Sequence, residues 1–217
     1  MNLKIVAGAW SIAVSLLLVA QPGSAGTILG SAHDFSVSAW GGGQICVACH
    51  ATHKAAGGGS AAPLWNHTLT TQIYTLYSSS TLKATQGQPT TGDKLCLSCH
   101  DGTVALDSYR DAAGTAFITK ANNLGATPNL HHPSSILYDS ALYALKSGAL
   151  FDPASKVVTV GAGAQSKTGT ISAVMLSGGL VQCSSCHDVH NTYSASTRNL
   201  LKISNGASAI CFACHDY

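Results

Sequence analysis

Cys183-Ser184-Ser185-Cys186-His187-Asp188-Val189-His190 puts two thiols and two imidazoles into eight consecutive residues. Its first five residues read C-x-x-C-H. The same spacing recurs at Cys46-Val47-Ala48-Cys49-His50, Cys96-Leu97-Ser98-Cys99-His100 and Cys211-Phe212-Ala213-Cys214-His215. These four motifs use all 8 cysteines of the chain. Structural zinc or disulfides account for paired cysteines, but neither requires a histidine after every second one. Attachment of a c-type haem does. Two thiols add to the two vinyl groups on one porphyrin edge, and the adjacent histidine gives the iron its proximal nitrogen. The spacing predicts four covalently bound haem c groups, with proximal ligands His50, His100, His187 and His215.

Each iron then needs a sixth ligand. Past the initiator, Met175 is the only methionine, so at most one site in a single chain is His/Met. Six histidines remain: His33, His53, His67, His131, His132 and His190. That surplus points to bis-histidine ligation and low potentials. His190 stands three residues past His187, and His53 three past His50. On a helical turn, residues i and i+3 share a face. Such a histidine cannot reach the far side of its own haem, but it can reach the next one. His53 and His190 are therefore expected distal ligands, which forces the haems close together. His132 precedes Pro133, where extended backbone presents a side chain outward. His33 and His67 are further candidates, each equally readable as a propionate partner or surface residue.

The composition fits this. Only 9% of the residues are charged and 6% aromatic, and there is no glutamate. Typical soluble domains are roughly 25% charged. Few large side chains are available for a core, and four buried macrocycles would supply the missing apolar surface. The expected fold class is a multihaem cytochrome c, mostly irregular, with short α-helices, little β-structure and a core of four stacked haems. Without Lys4, the lysines and arginines nearly balance the 9 aspartates, and no basic stripe points to nucleic acid.

Lys4, the apolar run Ile5 to Ala20 and the small residues Gly23-Ser24-Ala25 read as a secretory signal peptide cleaved after Ala25. The run is short for a membrane span, and no basic stop-transfer cluster follows. This leaves residues 26–217 as one exported tetrahaem domain with no integral span. Within it, motif starts are unevenly spaced. Short helical turns should carry the motifs. Helices are expected over His67 to Ser78 and Asp139 to Ser147. A hairpin is expected from Lys156–Val160 and Thr168–Met175. Gly57 to Pro63 and Gln86 to Asp93 read as loops.

Together, GSAHDFS, ICVACHATH, APLWNH, LCLSCHDGTVALD, HHP, CSSCHDVHN and CFACH resemble the doubled CXXCH multihaem cytochromes. Among these the chain is most similar to the extracellular tetrahaem nanowire cytochromes of the OmcE type. The resemblance covers nearly all of residues 26–217. It implies secretion to the cell exterior, a continuous stack of bis-histidine haems and a head-to-tail homopolymer. It also implies that a histidine of one chain completes an iron in the next. Here that histidine would be His33, acting on the haem of Cys211, Cys214 and His215. The histidine of the family's HP pair maps to His132, in preference to His131.

The reading of function is an electron carrier, not an enzyme, with other redox proteins and extracellular acceptors as partners. A soluble periplasmic shuttle has the same chemistry without the polymer. A multihaem oxyanion reductase would need an open iron site, against which the surplus histidines argue.

Overall fold

The computed structural model describes residues 28–52, 64–109, 112–119, 121–126, 132–146, 148–193 and 199–216. The expected signal peptide, the loop at 57–63, His53 and His131 lie outside them. Regular structure is sparse, as the composition leads one to expect. The longest element is α1, Thr91–His100; the other helices are α2 Ser140–Leu145, α3 Ile171–Val174, α4 Cys183–Cys186 and α5 Ala209–Phe212. Four strands form two separate antiparallel pairs. β1 (Ile136–Leu137) pairs with β4 (Leu180–Val181), Ile136 opposite Val181. β2 (Val157–Val160) pairs with β3 (Lys167–Thr170), Val157 opposite Thr170 and Val160 opposite Lys167.

The expected helix after Asp139 is present as α2. Asp139 caps it by accepting the Leu142 amide at 2.9 Å, and it stops at Leu145, before Ser147. The hairpin is present too, but its second strand ends at Thr170. Ile171 then turns into α3, which drives Ile171 and Val174 into the core instead of extending the strand to Met175. The expected helix over His67 to Ser78 does not form. Residues 68 to 78 form neither helix nor strand. Thr70, Thr71, Ile73 and Thr75 are β-branched. Side chains satisfy part of the backbone: Ser98 Oγ accepts the Thr70 amide at 2.9 Å, and Gln88 bonds both the amide and the carbonyl of Tyr74 at 2.9 Å. The segment expected as a loop over Gln86 to Asp93 gives up its last three residues to α1.

The clustered core is small: Tyr138, Val160, Ile171, Val174, Met175 and Ala213, flanked by Leu142, Leu150, Phe151 and Tyr193. It joins the hairpin to motif four, since Ala213 lies between its cysteines. Ile171 is fully buried, so Ile171→Ala should cost about 2–5 kcal/mol. Exposed Val157→Ala should stay within about 0.5 kcal/mol. Denaturant unfolding of the haem-loaded protein, followed by circular dichroism, checks both.

Candidate haem-binding site

Each motif is one helical turn. The His50 amide donates to the Cys46 carbonyl at 2.8 Å, His187 to Cys183 at 3.0 Å and His215 to Cys211 at 2.9 Å. Motif two forms the last turn of α1. The turn sets the first cysteine, the second at i+3 and the histidine at i+4 on one face, as attachment to one porphyrin edge requires. None of the eight cysteines is disulfide-bonded.

After the histidine, three motifs hand the chain to an extended triplet in the same way. In motif one the Asn66 amide donates to Cys49 O at 2.9 Å, and Ala51 N to Leu64 O at 2.8 Å. In motif three Lys202 N donates to Cys186 O and Asp188 N to Leu200 O, at 2.8 and 2.7 Å. In motif four Phe151 N donates to Cys214 O and Asp216 N to Ala149 O, at 2.9 and 3.1 Å. Trp65, Leu201 and Leu150 thus stand opposite the three proximal histidines. Leu64 and Leu200 enter their triplets with φ of 51° and 52°. That left-handed conformation costs a branched residue about 1–2 kcal/mol, and its recurrence at matched positions marks it as part of the device. Motif two differs: its His100 carbonyl accepts the Leu124 amide at 2.6 Å. Sequence reading missed these triplets because their hydrogen-bond partners are 12 to 67 residues away and share no motif.

The proximal rings are oriented. His100 Nδ1 donates to Asn122 O and His187 Nδ1 to Asn199 O, both at 2.9 Å. A backbone carbonyl on Nδ1 fixes the tautomer that leaves the Nε2 lone pair for a metal.

The attachment sulfurs follow one another through the fold. Burial pushes the Cys99 thiol up to about 12, with Cys49 and Cys96 adding to the effect. The Cys96 and Cys183 side chains are neighbours, and their interaction lowers Cys96 and raises Cys183. Burial pushes Cys214 up to about 12, reinforced by Cys186 and Cys211. Motif one therefore adjoins motif two, two adjoins three, and three adjoins four.

Three of the four proximal imidazoles face a second imidazole. Ring centroids are 6.0 Å apart for His33 and His100, 6.1 Å for His50 and His190, and 6.3 Å for His132 and His215. With metal–imidazole bonds of about 2.0 Å and a centroid roughly 1 Å behind each donor nitrogen, two imidazoles on one metal stand about 6 Å apart. The residues thus fit an iron between each pair. His33 Nδ1 is buried without a hydrogen-bond partner. Burial, with His100 and His187 beside it, pushes His33 down to about 4. The ring is neutral at physiological pH, which is the ligating form. His132 gives its Nδ1 to Pro133 O at 2.8 Å.

Two placements differ from expectation. Within the chain the His33 ring stands beside His100 of motif two, and the His132 ring beside His215 of motif four. Asp34 accepts the Gly30 amide at 2.8 Å and the Ser36 amide at 3.2 Å, closing the turns on either side of His33. Among the described residues, no histidine ring is paired with His67. It is buried, and both ring nitrogens lie 2.9 Å from carbonyl oxygens, those of Thr68 and Ala105. Met175 packs in the apolar core.

Asp101 directly follows His100, and no sequence motif assigns it a role. It is buried and accepts from Tyr74 OH, Thr70 Oγ1, and the amide and hydroxyl of Thr103. Burial alone would raise its carboxyl, but these four donors outweigh it and hold it below the ordinary carboxylate value.

Four C-x-x-C-H turns, two of them with a carbonyl orienting the histidine, define a c-type haem electron-transfer protein. Residues 176–217, which carry motifs three and four, match the family described as the doubled CXXCH motif. That match supports a multihaem cytochrome c-like family. No curated protein matches the chain. Among the described residues no helix is long and apolar enough to cross a membrane.

The Asp101 network has a testable sign. A depressed folded value adds stability above the unfolded carboxylate value of 3.8, and that stability is lost as pH falls through the lower folded value. Asp101→Asn should therefore flatten the acid limb of the stability curve, measured by denaturant midpoints from pH 6 down to pH 2. An acid limb as steep as that of the unmodified protein would show that Asp101 does not carry this dependence.

Proposed function

We propose that the chain is a tetrahaem electron carrier in which every iron is held by two histidines. The observation that supports this best is the spacing of the three histidine pairs. On this reading His33 completes the site of His100, His190 that of His50, and His132 that of His215. His53 holds in motif one the place that His190 holds in motif three, so it is the proposed partner of His187. His67 is left as a packing residue, because carbonyl oxygens face both of its nitrogens.

When bound, haem c supplies one-electron Fe(III)/Fe(II) chemistry, at low potential where both axial ligands are histidine. The chain's own residues do the rest. The cysteines fix each edge, the Asn122 and Asn199 carbonyls aim the proximal rings, and the triplets hold Trp65, Leu150 and Leu201 opposite them. Electron transfer slows steeply with distance between redox centres. The run of neighbouring sulfurs from motif one to motif four supports a path in chain order with no long gap.

We further propose export to the cell exterior and assembly into a head-to-tail filament that conducts to extracellular acceptors. This rests on the resemblance in sequence and on the sparse charge, which leaves little repulsion between copies. A soluble periplasmic carrier is the second reading. It is favoured by the three histidine pairs formed inside one chain, which need no ligand from a neighbour. Electron microscopy of natively secreted material separates the two: filaments support the first, discrete monomers the second.

The ligand assignment is tested by spin state. His190→Ala should make one iron of four high-spin, and it should be the iron held by His50. His67→Gln should leave all four low-spin. Ring planes also differ: 18° between His50 and His190, against 66° and 74° for the other two pairs. Near-parallel imidazoles split the iron dπ orbitals and near-perpendicular ones leave them almost degenerate. Paramagnetic resonance of the oxidised protein should therefore show a rhombic low-spin signal from the His50 site beside large-g signals from the other two. An unchanged low-spin spectrum in His190→Ala would overturn that pairing.

A further inference from the structure

Motifs two and three meet at a joint with its own buried chemistry. Gln182 caps α4, and its Nε2 donates to Thr90 Oγ1, the residue preceding α1, at 2.7 Å. A Cβ on Gly92 would come within 2.7 Å of the Gln182 side-chain amide, so a larger residue there would displace that amide from Thr90. Between the two helices lies Asp93, which is 0% exposed. One carboxylate oxygen accepts the Cys183 amide at 2.8 Å, and the other accepts the Ser135 hydroxyl at 2.5 Å. Ser135 holds a left-handed φ of 57° and itself accepts the Thr90 amide at 2.8 Å.

Neither partner of Asp93 is charged, and among the described residues no cation pairs with it. The ionisable side chains beside it are the thiols of Cys96 and Cys183. Both become neutral thioethers once haem is attached. Asp93 lies three residues before Cys96 on α1 and so shares its face. A buried carboxylate without a cation is costly, and packing alone would be served as well by a neutral side chain. Its field in a low-dielectric interior is weakly screened and acts on whatever is attached to Cys96 and Cys183. Negative charge there stabilises Fe(III) over Fe(II).

We propose that Asp93 is a positioning residue that locks motif three onto motif two and, through its charge, lowers the reduction potentials of the two haems attached there relative to the outer two. This rests on the tetrahaem reading above. It makes the middle of the electron path a step of higher energy for an incoming electron, set by one residue.

The test uses the haem-loaded full chain. Haem number by intact mass and spin state by resonance are recorded first, then the four one-electron steps by spectroelectrochemistry. Asp93→Asn keeps the shape: its amide oxygen accepts from Cys183 N and its amide nitrogen donates to Ser135 Oγ. Two of the four steps should rise by about tenfold in equilibrium constant, or 59 mV for one electron, and the other two should move less. Ser135→Ala leaves the charge and removes a donor, so the same two steps should fall. A purely structural role would not give opposite signs. Unmoved potentials in Asp93→Asn, or shifts of the same sign in both variants, overturn the proposal. If Asp93→Asn does not mature, an unmoved or raised pair in Ser135→Ala overturns it. An unmodified protein without four low-spin haems would instead defeat the tetrahaem reading.

Discussion

The structure depends on one hydrogen bond made at each motif, from the histidine amide back to the carbonyl of the first cysteine. It closes a single helical turn and points two sulfurs and an imidazole the same way. A helix this short has no stability of its own, because nucleation is not repaid by propagation. Each turn must be held from outside. In motifs one, three and four the holder is an extended triplet bonded to both sides of the histidine. In motif two it is the rest of α1. The attachment site is thus a composite of a local turn and a distant strand.

The same dependence explains the shape of the rest. The six-residue apolar cluster belongs to the hairpin and motif four. Elsewhere the interior is organised by polar contacts: Asp101 with Tyr74 and two threonines, Asp93 with Ser135 and the Cys183 amide, Asn66 with the Val47 carbonyl at 2.6 Å. Buried polar networks hold geometry well but supply little net free energy. A chain with this interior needs apolar mass from another source, and four macrocycles at the motifs would supply it. On the tetrahaem proposal, order and function have one origin, since the groups that would fill the fold are those that would carry electrons.

Sequence made the motifs legible because their chemistry is local: a cysteine, another three residues on, and a histidine beside it need no tertiary context. Helix α2 and the hairpin were legible for the same reason, a capping aspartate in one and two β-rich runs around a glycine turn in the other. The irregular run after His67 was not, because hydrogen bonds to its backbone come from Ser98 and Gln88, which no periodicity reveals. Sequence leaves His67 open between ligand, propionate partner and surface residue, and its burial with two carbonyls against its nitrogens is a tertiary fact. The approach of His33 to His100 of motif two is likewise not written in the sequence around it. Asp93 and Asp101 carry no signature at all: their meaning lies in being buried, and burial of an aspartate is a tertiary fact.

The central claim is that four haems lie in chain order with histidine on both sides of each iron. Electron microscopy of the natively secreted, haem-loaded protein tests it most directly. The account predicts adjacent haems running from motif one to motif four, with His33, His53, His132 and His190 on the irons and His67 on none. A haem out of that order, separated from its neighbours, or lacking a histidine on one face would contradict it.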